Sequence, residues 1–86
     1  MKVTVTYDEK QNTQQGNWLT CNLSDMVFSL DKRLRSLYKA TATAVFSSGR
    51  VEMEIIGTDQ ETVKPLLDAF QSAMIRDGFR LLVTYA

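Results

Sequence analysis

Hydrophobic and polar residues alternate in three stretches of the chain, and such alternation predicts β-strands with one buried face. The most regular stretch is 41–56, where TATAVF and VEMEII flank the turn SSGR and indicate a hairpin. Val3, Val5 and Tyr7 alternate with polar residues in a first strand, and FRLLVTY at 79–85 predicts a last one. The remaining elements are organised around the central hairpin.

Two other stretches carry apolar residues at helical spacing. The first is predicted over Ser24–Tyr38, with Ser24 or Asn22 as its N-terminal cap. The second follows Gly57, where Thr58 and Glu61 have the form of a capping box, and it ends near Gly78. Pro65 predicts either a kink in this helix or a later start near Thr62.

The segment between the first strand and the first helix is the most polar part of the chain. We interpret residues 8–17 as a flexible polar loop, because the segment is too long for a tight turn and too polar to bury. Residues 17–22 could form a short extra strand that pairs back on the first. The alternative, no strand there, stays open.

The order β, loop, α, β, β, α, β predicts a single α+β domain over residues 1–86. The expected architecture is a two-layer sandwich, a ferredoxin-like βαββαβ plait with two helices on one face of a mainly antiparallel sheet.

Composition excludes several kinds of site. The chain of 86 residues has no histidine and one cysteine, which excludes Cys/His zinc sites and His-assisted nucleophiles. We therefore expect no metal, no cofactor and no enzymatic activity. Ten basic and ten acidic residues cancel, which argues against a nucleic-acid partner. Without a long apolar run or an apolar leader segment, we expect a soluble cytoplasmic protein.

Trp18, at the foot of the polar loop, is the first candidate contact residue. An exposed Trp on a loop often anchors a partner. The alternative is that Trp18 folds back over the edge of the core with its indole N–H bonded, and small domains favour this second interpretation.

The outer face of the sheet is the second candidate surface. Threonines and glutamates dominate it, as expected of a solvated face. Val45, Ile56 and Leu82 interrupt that polarity and could form an apolar patch for a partner or a homodimer. Isolated exposed apolar residues need no such role, so both interpretations stay open.

Basic residues on the first helix are the third candidate. Arg33 and Arg35, with Lys32 and Lys39 beside them, could contact an acidic protein or a phosphate-bearing ligand. A solvated helix face explains them more simply. Cys21 is expected to be a small buried hydrophobe, and Glu52 with Glu54 are expected to be solvated strand residues rather than a catalytic pair.

The stretches MKVTVTY, VFSLDKRLRSLY and AVFSSGRVEMEIIGTDQETVKPLLDAFQ resemble, in order and spacing, the small DNA-damage-inducible DinI-like proteins of enterobacteria and their prophages. The resemblance implies a regulator of the RecA recombinase filament that acts through an acidic C-terminal helix. Here the matching helix mixes acids with Lys64 and Arg76, and a strand follows it. No functional residue is carried over from the family.

These observations predict a non-enzymatic binding protein. We expect a small regulator or inhibitor that acts by protein–protein interaction in a phage, prophage or stress-response setting, with the partner unidentified. The alternative is a small-molecule-binding regulatory domain that dimerises through its sheet.

Overall fold

A computed structural model of the chain describes residues 1–14 and 18–86, and of residues 12–14 and 18 it describes the backbone alone. The elements follow one another as β1 (Lys2–Tyr7), α1 (Glu9–Gln14), α2 (Trp18–Tyr38), β2 (Thr41–Ser47), β3 (Arg50–Ile56), α3 (Gln60–Arg76) and β4 (Leu81–Tyr85).

The four strands form one sheet in the order β2-β3-β1-β4, with every neighbouring pair antiparallel. Val3 lies opposite Met53 of β3 on one side and opposite Tyr85 of β4 on the other. The protein is therefore α+β, with a four-stranded antiparallel sheet, and the predicted fold class is confirmed at that level.

The core lies on one face of the sheet, because the apolar residues of each strand recur at every second position. Val3, Val5 and Val51 are fully buried, and the apolar stripes of α2 and α3 pack against them in a single cluster. The helical contribution to that cluster comes from Leu19, Leu23, Met26, Leu30, Leu34, Val63, Leu67 and Met74. The opposite face of the sheet is left to solvent.

Helix α2 begins at Trp18, six residues before the predicted Ser24. Residues 18–22 are thus helical, and the extra strand proposed for 17–22 is wrong over the part that the structure describes. The reason is packing: Leu19 and Leu23 are fully buried and continue the stripe of Met26 backwards by almost two turns. The intervening polar residues are weak helix formers, and tertiary burial overrides that preference.

The polar segment after β1 is also partly helical. Glu9–Gln14 form α1, which begins where the Asp8 carboxylate accepts a hydrogen bond from the Lys10 amide at 3.0 Å. The prediction of an irregular loop over 8–17 therefore differs from the structure at six positions, while residues 15–17 lie outside the described residues. The Asp8 cap and the good helix formers Glu9, Lys10 and Gln11 outweigh the polarity of this segment.

The N-terminal cap of α3 is Asp59 rather than Thr58. The Asp59 side chain accepts hydrogen bonds from the backbone N–H and the hydroxyl of Thr62, both at 3.0 Å. Pro65 lies inside the helix, which begins at Gln60 and not near Thr62. Gly78, with φ of 92°, follows the C-terminal cap in the left-handed conformation that glycine adopts readily, as predicted.

Candidate interaction sites

A groove between α2 and α3 opens on the helical side of the molecule. Its volume is about 770 Å³. Its floor is apolar and comes from both helices: Met26, Leu30, Leu66, Leu67 and Phe70. Buried floor residues such as Leu67 also belong to the core, so the groove lies directly on the core of the fold.

Helical spacing explains which residues of α2 reach the groove. Residues three and four apart lie on the same side of a helix, so Met26, Ser29, Arg33 and Leu37 form one row along its wall. Leu37 completes this row with 64% of its surface exposed. An apolar side chain so exposed beside an apolar floor can be covered by an added chain.

The rim of the groove carries charge. Lys32 and Arg33 line it together with Asp25, and all three side chains are exposed. Within the described part of the chain, no ion pair holds Lys32 or Arg33. Both cations are therefore available to an incoming acidic group.

Arg35 lies elsewhere, because two residues along a helix correspond to about half a turn. Its Nε donates to Asp31 Oδ2 at 2.9 Å, and Asp31 Oδ1 accepts from the Ala42 amide at 2.9 Å. The Ala42 hydrogen bond lowers the pKa of Asp31 most, partial burial opposes it, and Arg35 lowers the pKa further. Arg33 and Arg35, predicted as one basic cluster, thus face different surroundings, and Arg35 has a structural partner.

The three apolar residues of the outer sheet face are exposed, as predicted: Val45 by 69%, Ile56 by 63% and Leu82 by 59%. The register keeps them apart. Val45 is on edge strand β2 and Leu82 on the opposite edge strand β4, which places them three strand spacings, roughly 14 Å, apart across the sheet.

Polar residues fill the space between those apolar side chains. Thr4 and Glu52 lie in the row that contains Val45, and Lys2 and Glu54 lie in the next row towards Ile56. Arg50 binds Glu52 at 2.8 Å. Three separated apolar residues in a charged surface do not make one continuous patch.

Trp18 and Cys21, two further residues considered from the sequence, both belong to α2. The backbone of Trp18 starts α2, but its side chain lies outside the described residues, so both interpretations of Trp18 stay predictions. Cys21 is exposed on α2, and the expectation that it is buried is wrong, because Leu19 and Leu23 take the inward positions on either side of it.

The perturbed titratable groups lie outside the groove. Lys64 donates to Asp68 at 2.8 Å, which raises the pKa of Lys64, and burial raises the pKa of the Tyr85 phenol. These shifts follow from a surface ion pair and from packing beneath α3. In the described part of the chain, no three potential metal-ligating side chains lie together.

The turn 47–50 has its own internal partner. The Ser48 hydroxyl donates to the Glu9 carboxylate, and Gly49, with φ of 69°, supplies the left-handed turn residue. A carboxylate already occupies this position, so the turn is not suited to holding an anion.

Sequence reasoning missed the groove. Its signal was present in α3, where Leu66, Leu67 and Phe70 give an apolar surface wider than contact with a sheet alone requires. Among the described helices, none combines the length and hydropathy that crossing a bilayer requires. No protein-family model matches this chain, and no curated protein shows significant similarity to it.

Proposed function

We propose that the chain is a non-enzymatic binding protein, a small regulator or inhibitor that acts by occupying the surface of a partner protein. The observation that carries this proposal is the groove between α2 and α3. It has a preformed apolar floor, an exposed Leu37 at its wall and cations on its rim. Concave apolar sites with a few polar groups are where proteins bind their ligands.

The chemistry of the groove suits an amphipathic segment of the partner protein. Apolar side chains of such a segment, spaced three and four residues apart, would cover the floor and Leu37, as in helix-in-groove recognition. Acidic side chains on the flank of the segment would meet Lys32 and Arg33. The proposed partner is therefore a protein with an acidic amphipathic helix.

A pair of matched variants tests this proposal. Leu37→Asp places a charge at the groove, whereas Leu82→Asp makes the same change at a comparably exposed residue of the outer sheet face. Tagged wild type and both variants are used to purify partners from the native host, and the bound proteins are quantified by mass spectrometry.

We expect a specific protein to be retained by wild type and by Leu82→Asp, and to fall by about tenfold or more with Leu37→Asp. Arg33→Glu should weaken the binding of the same protein, since it reverses the charge of this residue on the rim. Circular dichroism confirms that the variants stay folded. Equal retention by all folded variants, or loss with Leu82→Asp instead, would overturn the assignment to the groove.

The alternative is a regulatory domain that binds a small molecule and dimerises through its sheet. The groove volume favours this candidate, because ligand pockets typically measure about 300–1,000 Å³. It predicts that the amphiphilic anion 8-anilinonaphthalene-1-sulfonate binds at one site and shifts the NMR signals of Leu30 and Leu66. Diffuse shifts spread over the surface would count against it.

We also propose the finer fold and setting predicted from the sequence. Counted from the β4 edge, the strand order is β4-β1-β3-β2, and α2 and α3 each connect two parallel strands that have a third between them. This supports the split β-α-β units of a ferredoxin-like plait. A single unpaired Cys21 supports a reducing cytoplasm, and the resemblance to DinI-like proteins supports a phage or stress-response setting.

A further inference from the structure

On edge strand β2, two residues have backbone N–H and C=O groups that point outward and bond to no other described residue. In an antiparallel ladder, alternate residues direct both backbone polar groups towards the same neighbour. The Ala42 amide bonds to Asp31 and not to β3. The backbone N–H and C=O groups of Ala42, Ala44 and Phe46 therefore all point away from β3. No hydrogen bond joins Ala44 or Phe46 to any described residue on that side.

This edge also lacks the features that usually prevent strand addition. Natural edge strands carry lysine, proline or a bulge, and Thr41–Ser47 has no charged residue, no proline and an unbroken register. Val45 is 69% exposed, and Phe46 is 41% exposed although it points to the core side. The Asp31–Arg35 pair covers only the Ala42 end.

The other edge of the sheet is better protected. On β4 the Leu81 carbonyl accepts a hydrogen bond from Gln71 Nε2 at 2.9 Å, and the Lys64–Asp68 ion pair lies close to Tyr85. Both ends of that edge thus have polar side chains beside them. The β2 edge is open from Ala44 to Phe46.

We propose that the β2 edge binds the β2 edge of a second copy of this chain, antiparallel and about a two-fold axis at Val45. In that register Ala44 of each copy faces Phe46 of the other. Both residues direct their N–H and C=O groups outward, so the two pairs form four backbone hydrogen bonds. The Asp31–Ala42 bond stays in place, and the two sheets join into one of eight strands.

The sizes of the facing side chains suit this register. On the core side, the small Ala44 lies opposite the large, half-exposed Phe46 of the second copy. On the outer side, the two Val45 side chains meet at the axis as a non-hydrogen-bonded pair, where side chains approach most closely.

The charges near the two ends of the strand already have partners within one copy. The uncharged strand brings no like charges together. Antiparallel pairing sets the Asp31–Arg35 ion pair of one copy against the Ser48 end of the other, where the Ser48 hydroxyl binds the Glu9 carboxylate. The β2 edge is on the opposite side of α2 from the groove. The inference therefore goes beyond the proposed function and is tested separately from it.

Sedimentation velocity and equilibrium test the assembly. From micromolar to millimolar concentration, wild type should reach twice the 9.8 kDa chain mass and no more. Val45→Lys puts two cations at the axis and should raise the dissociation constant by at least about tenfold, equivalent to about 1.4 kcal/mol. Ala44→Pro removes only an outward N–H and should do the same. Leu82→Lys, on the opposite edge, should leave the dimer unchanged.

Disulfide trapping tests the register. In a Cys21→Ser background, Val45→Cys places two sulfurs across the axis at a Cα separation of about 4.5 Å, which a disulfide can span. Mild oxidation should give a covalent dimer. Thr43→Cys, on the same face two residues away, should form no covalent dimer, because the two copies of residue 43 lie about 13 Å apart along the strands.

Each result decides the proposal. A monomer throughout the concentration range, polymers larger than two copies, or a dimer that survives both Val45→Lys and Ala44→Pro would overturn it. Cross-linking of Thr43→Cys in preference to Val45→Cys would overturn the register. Loss of partner binding by Leu37→Asp has no bearing on these outcomes, so failure of the groove proposal is distinguishable from failure of this one.

Discussion

The carboxylate of Asp31 binds the backbone amide of Ala42 at 2.9 Å and so joins α2 to the outermost strand of the sheet. Ala42 is buried, with 4% of its surface exposed, and its amide would otherwise have no partner at this edge. The same carboxylate holds Arg35 at 2.9 Å. One side chain thus caps the edge strand and positions a cation of the helix.

Asp31→Ala should lower the free energy of unfolding by about 1–2 kcal/mol, because it leaves the Ala42 amide unsatisfied in a buried position. Arg35→Ala removes only an exposed ion pair and should cost under about 1 kcal/mol. Urea denaturation at neutral pH measures both. Equal losses in the two variants would contradict the primary role of the amide bond.

The contribution of Asp31 should also depend on pH. Its pKa in the folded protein is lowered from the ordinary 3.8, so its charge stabilises the fold fully above that value. The stabilisation is lost as the pH falls through the lowered pKa. The stability difference between wild type and Asp31→Asn should therefore shrink below pH 3.8. A difference that stays constant down to the acid transition would contradict the lowered pKa.

Pro65→Ala should stabilise the protein. Pro65 lies inside α3 and cannot donate to the carbonyl of Glu61 one turn earlier, and its ring crowds that carbonyl. Alanine restores the donor at an exposed position, and we expect a gain of about 1–3 kcal/mol in the free energy of unfolding. Thermal and urea denaturation measure it. Ser72→Ala, an exposed change in the same helix, is the control and should alter stability by less than about 0.7 kcal/mol. A loss of stability in Pro65→Ala would contradict this prediction and show that the proline stabilises the fold.

Gln11→Ala should loosen the start of β4. The Gln11 side chain donates to the Arg80 carbonyl at 2.8 Å and accepts from the Arg80 amide at 2.6 Å, so it takes the place of a strand residue beyond the end of β1. Its loss should speed hydrogen exchange at the Arg80 amide and cost about 1 kcal/mol of stability. Lys10→Ala, one residue away, should change neither. Unaltered hydrogen exchange at the Arg80 amide would show that solvent or another group replaces the Gln11 side chain.

The strands and α3 could be predicted from the sequence because their signals are local. The alternation in TATAVF and VEMEII and the turn glycine between them determine the hairpin without reference to the rest of the chain. The first six residues of α2, 18–23, could not be predicted in this way. Thr20, Cys21 and Asn22 favour other structures, and only the tertiary burial of Leu19 and Leu23 makes the segment helical.

The candidate sites show the same limit. That Val45 and Leu82 are on the outer face follows from alternation, and the structure confirms it. That they lie on opposite edges depends on strand order, which alternation does not contain. The groove depends on how two helices are spaced over the sheet, and a stripe on each helix does not specify that distance.

The central position of β1 has a consequence for the order in which the fold assembles. The hairpin of β2 and β3 closes over a two-residue turn, whereas the contact between the Thr84 hydroxyl and the Thr4 carbonyl spans 80 residues. Local contacts form quickly and distant ones slowly, because closing a longer loop costs more entropy. During synthesis, β1 therefore emerges well before β4, which closes its second edge, and it stays exposed to incorrect pairing in the interval.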